Sequence, residues 1–340
     1  MMHKNKVGII GAGSFGVAIA NLMALKTDVL LFSRNKNTVE DMNSTRRGFG
    51  QSLAGRINLT NDLEELLSQC RLLFPMVPSS AFREMMRNMA PYLLPDHFII
   101  HGTKGFDVYP QCEVVTRNEV HTMSEVIQQE SCVVRIGCLS GPNLAVEIMN
   151  GQPTATVIGS KFKEVIDAGK AVLQSPLFHV FGTHDILGAE IAGALKNIIA
   201  IGSGILEAKG IGRNLQAMLI TRGLTEMIYF GKAMGATVPA FLGTAGIGDL
   251  IATATSSDSR NFSFGYELGK GKNKQQISSE MPELAEGVNT LQVIHQLGKY
   301  YRLKTPIFDV IYKIVFEDFE IETAIRYLIT FPYDIDVDFL

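Results

Sequence analysis

Cysteine is scarce in this 340-residue chain, and its few cysteines follow no pattern. Cys70, Cys112, Cys132 and Cys138 form no CxxC pair, and no histidines gather at metal-ligand spacing, so no zinc site and no other metal site is expected. So few thiols in so long a chain fit a reducing compartment. A strong excess of one charge is lacking too. The formal net charge of −3 argues against nucleic acid as the main partner, but not against small anions, which respond to local clusters of Lys and Arg. Very long apolar runs are also missing. The most apolar long segment, Ile191–Leu206, is shorter than a membrane span and carries Lys196 and Asn197 at its middle, where a charge in lipid is most costly. The apolar stretch behind the start Met1-Met2-His3-Lys4 is broken by Gly11 and Gly13, too soon for a signal peptide. These absences lead us to expect a cytoplasmic protein with no membrane span.

What is present can build a substantial core. Hydrophobic residues make up 46% of the chain and charged residues 19%, and the length suits two domains. The first half alternates strand-like and helical patterns. Val7–Ile10, the apolar run within Asp28–Ser33, Leu72–Val77, Phe98–His101, Val133–Leu139, Thr154–Ile158 and Phe178–Phe181 read as strands. Ser14–Leu25 reads as a helix, and Ser79 or Ser80 is placed to cap another running to about Ala90. Such alternation implies a mostly parallel sheet covered on both faces. From about Gly188 helical periodicity takes over, at Gly188–Lys209, Leu215–Met234, Asn261–Gly269, Val288–Leu297 and Pro306–Phe316. The expected architecture is an α/β Rossmann-like domain over 1–185, then an all-helical domain over 186–340.

Gly11-Ala12-Gly13-Ser14-Phe15-Gly16 is a GxGxxG element that follows the first strand and opens a helix, the context in which it signals dinucleotide binding. Gly11 permits the tight turn, Gly13 the approach of a pyrophosphate, and Gly16 close packing of helix on strand. The helix start then presents N–H groups to the phosphates. An NAD-selective site ends its second strand in Asp or Glu, but here the strand ends Phe32-Ser33-Arg34-Asn35. Arg34 and Ser33 suit a 2′-phosphate better than an acid would, so NADP(H) is expected to be accepted, alone or beside NAD(H); a solvated surface position is the alternative for Arg34.

In the helical half, Lys196 is the one charge between Glu190 and Glu207. A helix apolar nearly all round is buried, and a buried Lys needs a polar pocket, a carboxylate or a ligand. Snorkelling at an interface is the bland alternative. Carbonyl reduction needs an acid for the developing alkoxide, and Lys196 can supply it. Two other segments have the chemistry of an anion site. Lys104 lies in Gly102-Thr103-Lys104-Gly105, just past a predicted strand, at the edge where ligands of open α/β sheets bind. Arg260 lies in Ser259-Arg260-Asn261 at a predicted helix start, where it can fork a phosphate or be a plain surface charge beside a helix cap.

In this order, GAGSFG (11–16), VPSS (77–80), GTKG (102–105), SGPN (140–143), ALKNIIAIGSGI (194–205), GIGDL (246–250), SRN (259–261) and EG (286–287) resemble the bacterial NAD(P)-dependent glycerol-3-phosphate dehydrogenases, from about residue 6 to 328. The resemblance implies reversible reduction of dihydroxyacetone phosphate to sn-glycerol 3-phosphate for phospholipid synthesis, by a cytoplasmic homodimer. It puts Lys196 at the catalytic position. Lys104, Gly141, Asn143, Lys196, Asp249, Thr253, Ser259, Arg260 and Asn261 fall at substrate positions. Gly11, Gly13, Ser14, Phe15, Gly16, Arg34, Lys104, Ala145, Arg260, Leu284 and Glu286 fall at cofactor positions. Asp249 would orient the Lys196 ammonium. Two departures stand out: Asn143 replaces the usual Ser or Thr, and Asn43–Leu59 lacks the family's Tyr-Leu-Pro-Gly-like pattern. Arg46, Arg47 and Arg56 in that loop either add positive potential there or, as the preferred reading, are solvated charges. The rival readings are a two-domain dehydrogenase acting on a hydroxyacyl thioester or a sugar acid, and a non-catalytic NAD(P)-binding protein on the same scaffold.

Overall fold

The computed structural model describes residues 6–109, 115–281 and 285–332. Two compact units divide the chain. One takes the residues up to Asp107 together with Thr122–Ile186; the other takes Val108–His121 and everything from Leu187. The excursion Val108–His121 thus belongs with the helical unit, although no sequence pattern marks it. The backbone N–H of Val115 donates to Gln296 Oε1 at 3.0 Å, on the Glu286–Tyr301 helix of that unit.

The first unit is built on an eight-stranded sheet. Its strands are β1 (Val7–Ile10), β2 (Val29–Phe32), β3 (Ile57–Thr60), β4 (Leu72–Pro75), β5 (Phe98–His101), β6 (Arg135–Ser140), β7 (Thr154–Gly159) and β8 (Phe178–Thr183). They lie in the order β8-β7-β6-β5-β4-β1-β2-β3. All neighbours are parallel except β6 and β7, so the sheet is mostly parallel, as expected. Val7, Ile9, Val29, Leu31, Ile57, Phe74, Ile100, Leu139 and Ile158 are buried in one core with the Ser14–Met23 helix. Strands covered on both faces need side chains apolar in both directions, which explains runs such as Val-Leu-Leu-Phe. The strand order reverses at β1, between β2 and β4. A crevice opens at such a switch point, outside the strands' carboxyl ends.

Several local readings are corrected. The helix after β4 spans Ser79–Met89 with Pro78 at its cap position and no side-chain cap, so neither Ser79 nor Ser80 acts as one. Edge strand β3 has no counterpart among the strands read from sequence. It follows a short hairpin in which Arg47–Gly48 pairs antiparallel with Gln51–Ser52. Arg46 is not a solvated charge: its guanidinium donates to the carbonyls of Ile57 (3.0 Å) and Ala54 (2.8 Å) and ties the loop to β3. Arg56 is exposed, as read.

The second unit is helical: Ile186–Ala208, Arg213–Met234, Val238–Leu242, Asp249–Ala254, Arg260–Gly269, Lys274–Glu280, Glu286–Tyr301, Pro306–Phe316 and Ile321–Thr330 among the described residues. Its central helix, Ile186–Ala208, is 23 residues long, longer than the apolar run read from sequence and long enough to cross a membrane by length and composition. Its apolar window is 94% buried within the protein, so it is a core helix. It crosses the Arg260–Gly269 helix at backbone contact. A Cβ on Gly204 would lie 2.0 Å from the Phe262 carbonyl oxygen, and one on Gly265 would lie 1.9 Å from that of Ile201.

Candidate active site

The first unit carries the glycine-rich turn and the predicted cofactor positions Arg34, Lys104 and Ala145; Arg260 and Glu286 belong to the second unit. Gly11 has φ +115°, a conformation disfavoured for residues with a Cβ, and an added Cβ would lie 2.5 Å from the Met76 carbonyl oxygen. A Cβ on Gly16 would lie 1.9 Å from the Gly11 carbonyl oxygen. The fold therefore requires both glycines. Gly13 is different: a Cβ there would meet nothing within 4 Å. Protein packing gives no reason for glycine at 13, whereas close approach of a pyrophosphate does. No side chain caps the Ser14–Met23 helix, which leaves its start suited to phosphate oxygens. The residues present thus fit a dinucleotide.

Arg34 is exposed just past β2, on a turn fixed by its neighbours. Asn35 Oδ1 accepts from the backbone N–H groups of Asn37 (2.9 Å) and Thr38 (3.3 Å), and Ser33 Oγ accepts from Asn35 N–H. Phe15 is half-buried, its ring 3.0 Å from where a Cβ on Gly102 would stand. Thr103 Oγ1 donates to the Val77 carbonyl at 2.7 Å, joining the loops after β4 and β5. Half-buried Lys104 donates to the Gly141 carbonyl at 3.0 Å, which brings two predicted substrate positions together. Asn143 is buried, and Ala145 opens the short Ala145–Met149 helix that packs on Ser14–Met23.

The second unit carries Lys196, Asp249 and Thr253. Lys196 and Asp249 are buried, with side chains 5% and 1% exposed. Lys196 Nζ donates to Asp249 Oδ1 at 2.5 Å and to Thr253 Oγ1 at 2.5 Å. Asp249 and Thr253 are one helical turn apart on Asp249–Ala254, so they share a face. Thr253 Oγ1 in turn donates to Asp249 Oδ1 at 3.2 Å. A π-helical turn, Thr244–Gly248, immediately precedes Asp249; such turns are frequent at functional sites. Snorkelling is ruled out for Lys196, whose ammonium is paired and inside.

At the start of the Arg260–Gly269 helix the Ser259 side chain accepts from Phe262 N–H at 3.3 Å as a cap. Arg260 is exposed. Asn261 is buried, and its Oδ1 accepts from Gly287 N–H at 2.8 Å, bracing the start of the helix that Glu286 opens. Leu284 lies outside the described residues. Among the described residues no group of His, Cys, Asp and Glu could hold a metal.

Sequence reasoning missed two buried ionisable groups. Glu226, 3% exposed, accepts from the backbone N–H groups of Ile307 (2.8 Å) and Phe308 (3.0 Å) at the start of the Pro306–Phe316 helix. Burial pushes its carboxyl up to about 8. Arg83, 7% exposed, pairs with Asp107 at 2.7 Å and with Glu130. Hydrogen bonds from Arg87 and Arg83 hold the Glu130 carboxyl below the usual range despite its desolvation. An acid inside an apolar stretch, Thr225-Glu226-Met227-Ile228, was the available signal for the first; none marks the partners of the second.

Two family sequence models match the chain: NAD-dependent glycerol-3-phosphate dehydrogenase N-terminus over residues 6–166, and the C-terminus of the same family over 185–326. A Psychrobacter cryohalolentis protein named glycerol-3-phosphate dehydrogenase (NAD(P)+) is 37% identical over 348 residues, covering 100% of this chain and 78% of that protein. One of the same name from Saccharophagus degradans is 36% identical over 343 residues, covering 99% and 93%. The crystal structure of glycerol-3-phosphate dehydrogenase from Coxiella burnetii superposes with a TM-score of 0.88 at 30% identity, covering 96% of this chain and 99% of that one.

Proposed function

The chain belongs to the NAD-dependent glycerol-3-phosphate dehydrogenase family, and from that premise we propose that Lys196, held by Asp249 and Thr253, is the group that protonates the substrate's carbonyl oxygen. The enzyme is an NAD(P)-dependent oxidoreductase that interconverts dihydroxyacetone phosphate and glycerol 3-phosphate. When bound, the nicotinamide supplies or accepts the hydride. The carbonyl oxygen gains negative charge as its carbon is reduced. A nearby ammonium stabilises that charge and then gives up a proton; in the reverse direction the neutral amine takes it back. The observation that carries this reading is the ammonium itself, buried in an apolar helix and fixed by a carboxylate and a hydroxyl.

We assign most of the cofactor contacts to residues 1–185 and the acid–base chemistry to 186–340. Gly11, Gly13, Ser14, Phe15 and Gly16 hold the pyrophosphate, with Ala145 beside them; Arg34 takes a 2′-phosphate; Glu286 completes the cofactor contacts. Lys104, Gly141, Asn143 and Asn261 bind substrate, and Arg260 takes its phosphate. Family membership supports further assignments: a cytoplasmic homodimer whose product feeds phospholipid synthesis.

The test is a set of initial rates with dihydroxyacetone phosphate for wild type and Lys196→Ala, with NADPH and with NADH. Turnover should fall by roughly three orders of magnitude or more in the variant while cofactor affinity stays within about threefold. Turnover retained in Lys196→Ala would remove the lysine from the chemistry.

A further inference from the structure

The turn after β6 contains a buried side chain whose hydrogen bonding is half complete. Asn143 Nδ2 donates to Thr156 Oγ1 at 2.8 Å, and Thr156 Oγ1 donates to the Ser140 carbonyl at 3.0 Å. Thr156 is fully buried on β7. Asn143 Oδ1 is buried and has no hydrogen-bond partner; neither has Ser140 Oγ. A hydroxyl has one proton to give. Thr156 has spent it on Ser140, so toward Asn143 it can only accept. That requirement turns the amide's NH2 toward Thr156 and leaves its carbonyl oxygen facing the other way. The chain Ser140–Thr156–Asn143 thus fixes which end of an otherwise ambiguous amide is presented.

A buried acceptor without a donor calls for an explanation, and this one lies on the turn whose Gly141 carbonyl anchors Lys104. The group that satisfies it must donate. Phosphate oxygens of a dianion and a ketone oxygen only accept. The remaining polar group of dihydroxyacetone phosphate is its free hydroxyl, which donates. Taking the activity and the substrate position of Asn143 as proposed above, we infer that Thr156 is a positioning residue that sets Asn143 to accept from the substrate's free hydroxyl. The site thereby discriminates against a phosphorylated ketone lacking that hydroxyl. Ser or Thr at 143 could donate as well as accept, and so would not impose the same polarity.

The test compares dihydroxyacetone phosphate with hydroxyacetone phosphate, its analogue without the free hydroxyl, in wild type, Thr156→Val, Thr156→Ser and Asn143→Ala. Sites built to bond a substrate hydroxyl reject the deoxy analogue strongly, so wild type should favour dihydroxyacetone phosphate by on the order of 100-fold in kcat/KM. Thr156→Val keeps the shape but frees the amide to rotate; the preference should shrink about tenfold, through loss on the hydroxylated substrate alone. Thr156→Ser should restore the wild-type ratio, and Asn143→Ala, which removes the acceptor outright, should collapse it even if Thr156→Val does not fold. A merely structural Thr156 would lower both substrates alike and leave the ratio unchanged, which overturns the inference while the dehydrogenase reading stands. So would a wild type indifferent to the hydroxyl. A folded wild type that turns over neither substrate would overturn both.

Discussion

Removing the charge on Asp249 gives the sharpest test of why Lys196 is where it is. Asp249→Asn keeps the shape and an acceptor oxygen 2.5 Å from Nζ but removes the carboxylate charge from beside a buried ammonium. With side chains 5% and 1% exposed, neither group of the pair regains water when its partner is lost. Breaking such a pair from one side costs roughly 3–5 kcal/mol, and Lys196→Met should cost a similar amount from the other. In a unit of this size that lowers the thermal midpoint by roughly 10 °C for either single variant. The double variant Lys196→Met/Asp249→Leu buries no charge. An apolar replacement of a buried pair is commonly neutral to about 4 kcal/mol stabilising, so the double should regain most of what each single lost. Turnover should follow the opposite pattern, low in Asp249→Asn by about 100-fold or more and abolished in both lysine variants. Circular-dichroism melts beside NADPH oxidation with dihydroxyacetone phosphate separate the two readouts. A double variant as unstable as the sum of its singles would refute the coupling. Full turnover in Asp249→Asn would refute the claim that the carboxylate serves the ammonium.

Three further outcomes follow from the same geometry. Arg34→Asp should reverse or erase any preference for NADPH over NADH, since an acid repels a 2′-phosphate and accepts from ribose hydroxyls; an unchanged ratio of kcat/KM values would unseat that assignment. Glu226 binds its proton up to about pH 8 in the native protein but releases it near 4.5 when unfolded. Stability should therefore fall as pH rises across that window, by on the order of 5 kcal/mol in total, and urea unfolding of Glu226→Gln should lose the slope. Gly13→Ala should fold normally, because its Cβ meets nothing within 4 Å, yet bind cofactor at least about tenfold more weakly; undiminished cofactor titrations would show that position 13 faces no pyrophosphate.

The parts of the fold legible in the sequence are those where burial forces a pattern. Parallel strands covered on both faces must be apolar throughout, so β1, β2, β4 and β5 announce themselves. Edge strand β3, Ile-Asn-Leu-Thr, is short and alternates, and nothing separates it from a loop until β2 lies beside it. The excursion Val108–His121 is illegible for a different reason: it meets a partner far away in sequence, Gln296, which accepts from the Val115 N–H. Within the site, Lys196 stands out because a charge in an apolar helix violates the rule for buried residues. Thr156 violates nothing, since threonine is a favoured strand residue, and only its bonds to Ser140 and Asn143 reveal a role. Arg46 misleads in the opposite sense. It sits among polar neighbours and reads as solvated, but it bonds the carbonyls of Ala54, in the loop beyond, and Ile57, at the start of β3.

The position of the Lys196 ammonium is set by backbones rather than by long side chains. The helix that carries it touches Arg260–Gly269 where glycines let one main chain rest on the other. One residue before that crossing, Ser203 Oγ donates at 2.5 Å to the carbonyl of Ala254, the last residue of the helix bearing Asp249 and Thr253, while accepting from Gln216 at 2.6 Å. Asn261, at the start of the crossing helix, holds the N–H of Gly287, whose neighbour Glu286 opens the next. Lysine has four rotatable bonds and loses rotamer freedom when held in one geometry. Here that loss is confined to one side chain, because its partners stand on helices already locked to its own. Such a support holds an ammonium near its productive geometry before substrate arrives. It also explains why so apolar a helix tolerates a lysine: the carboxylate and the hydroxyl stand beside the ammonium, so the charge is not buried alone.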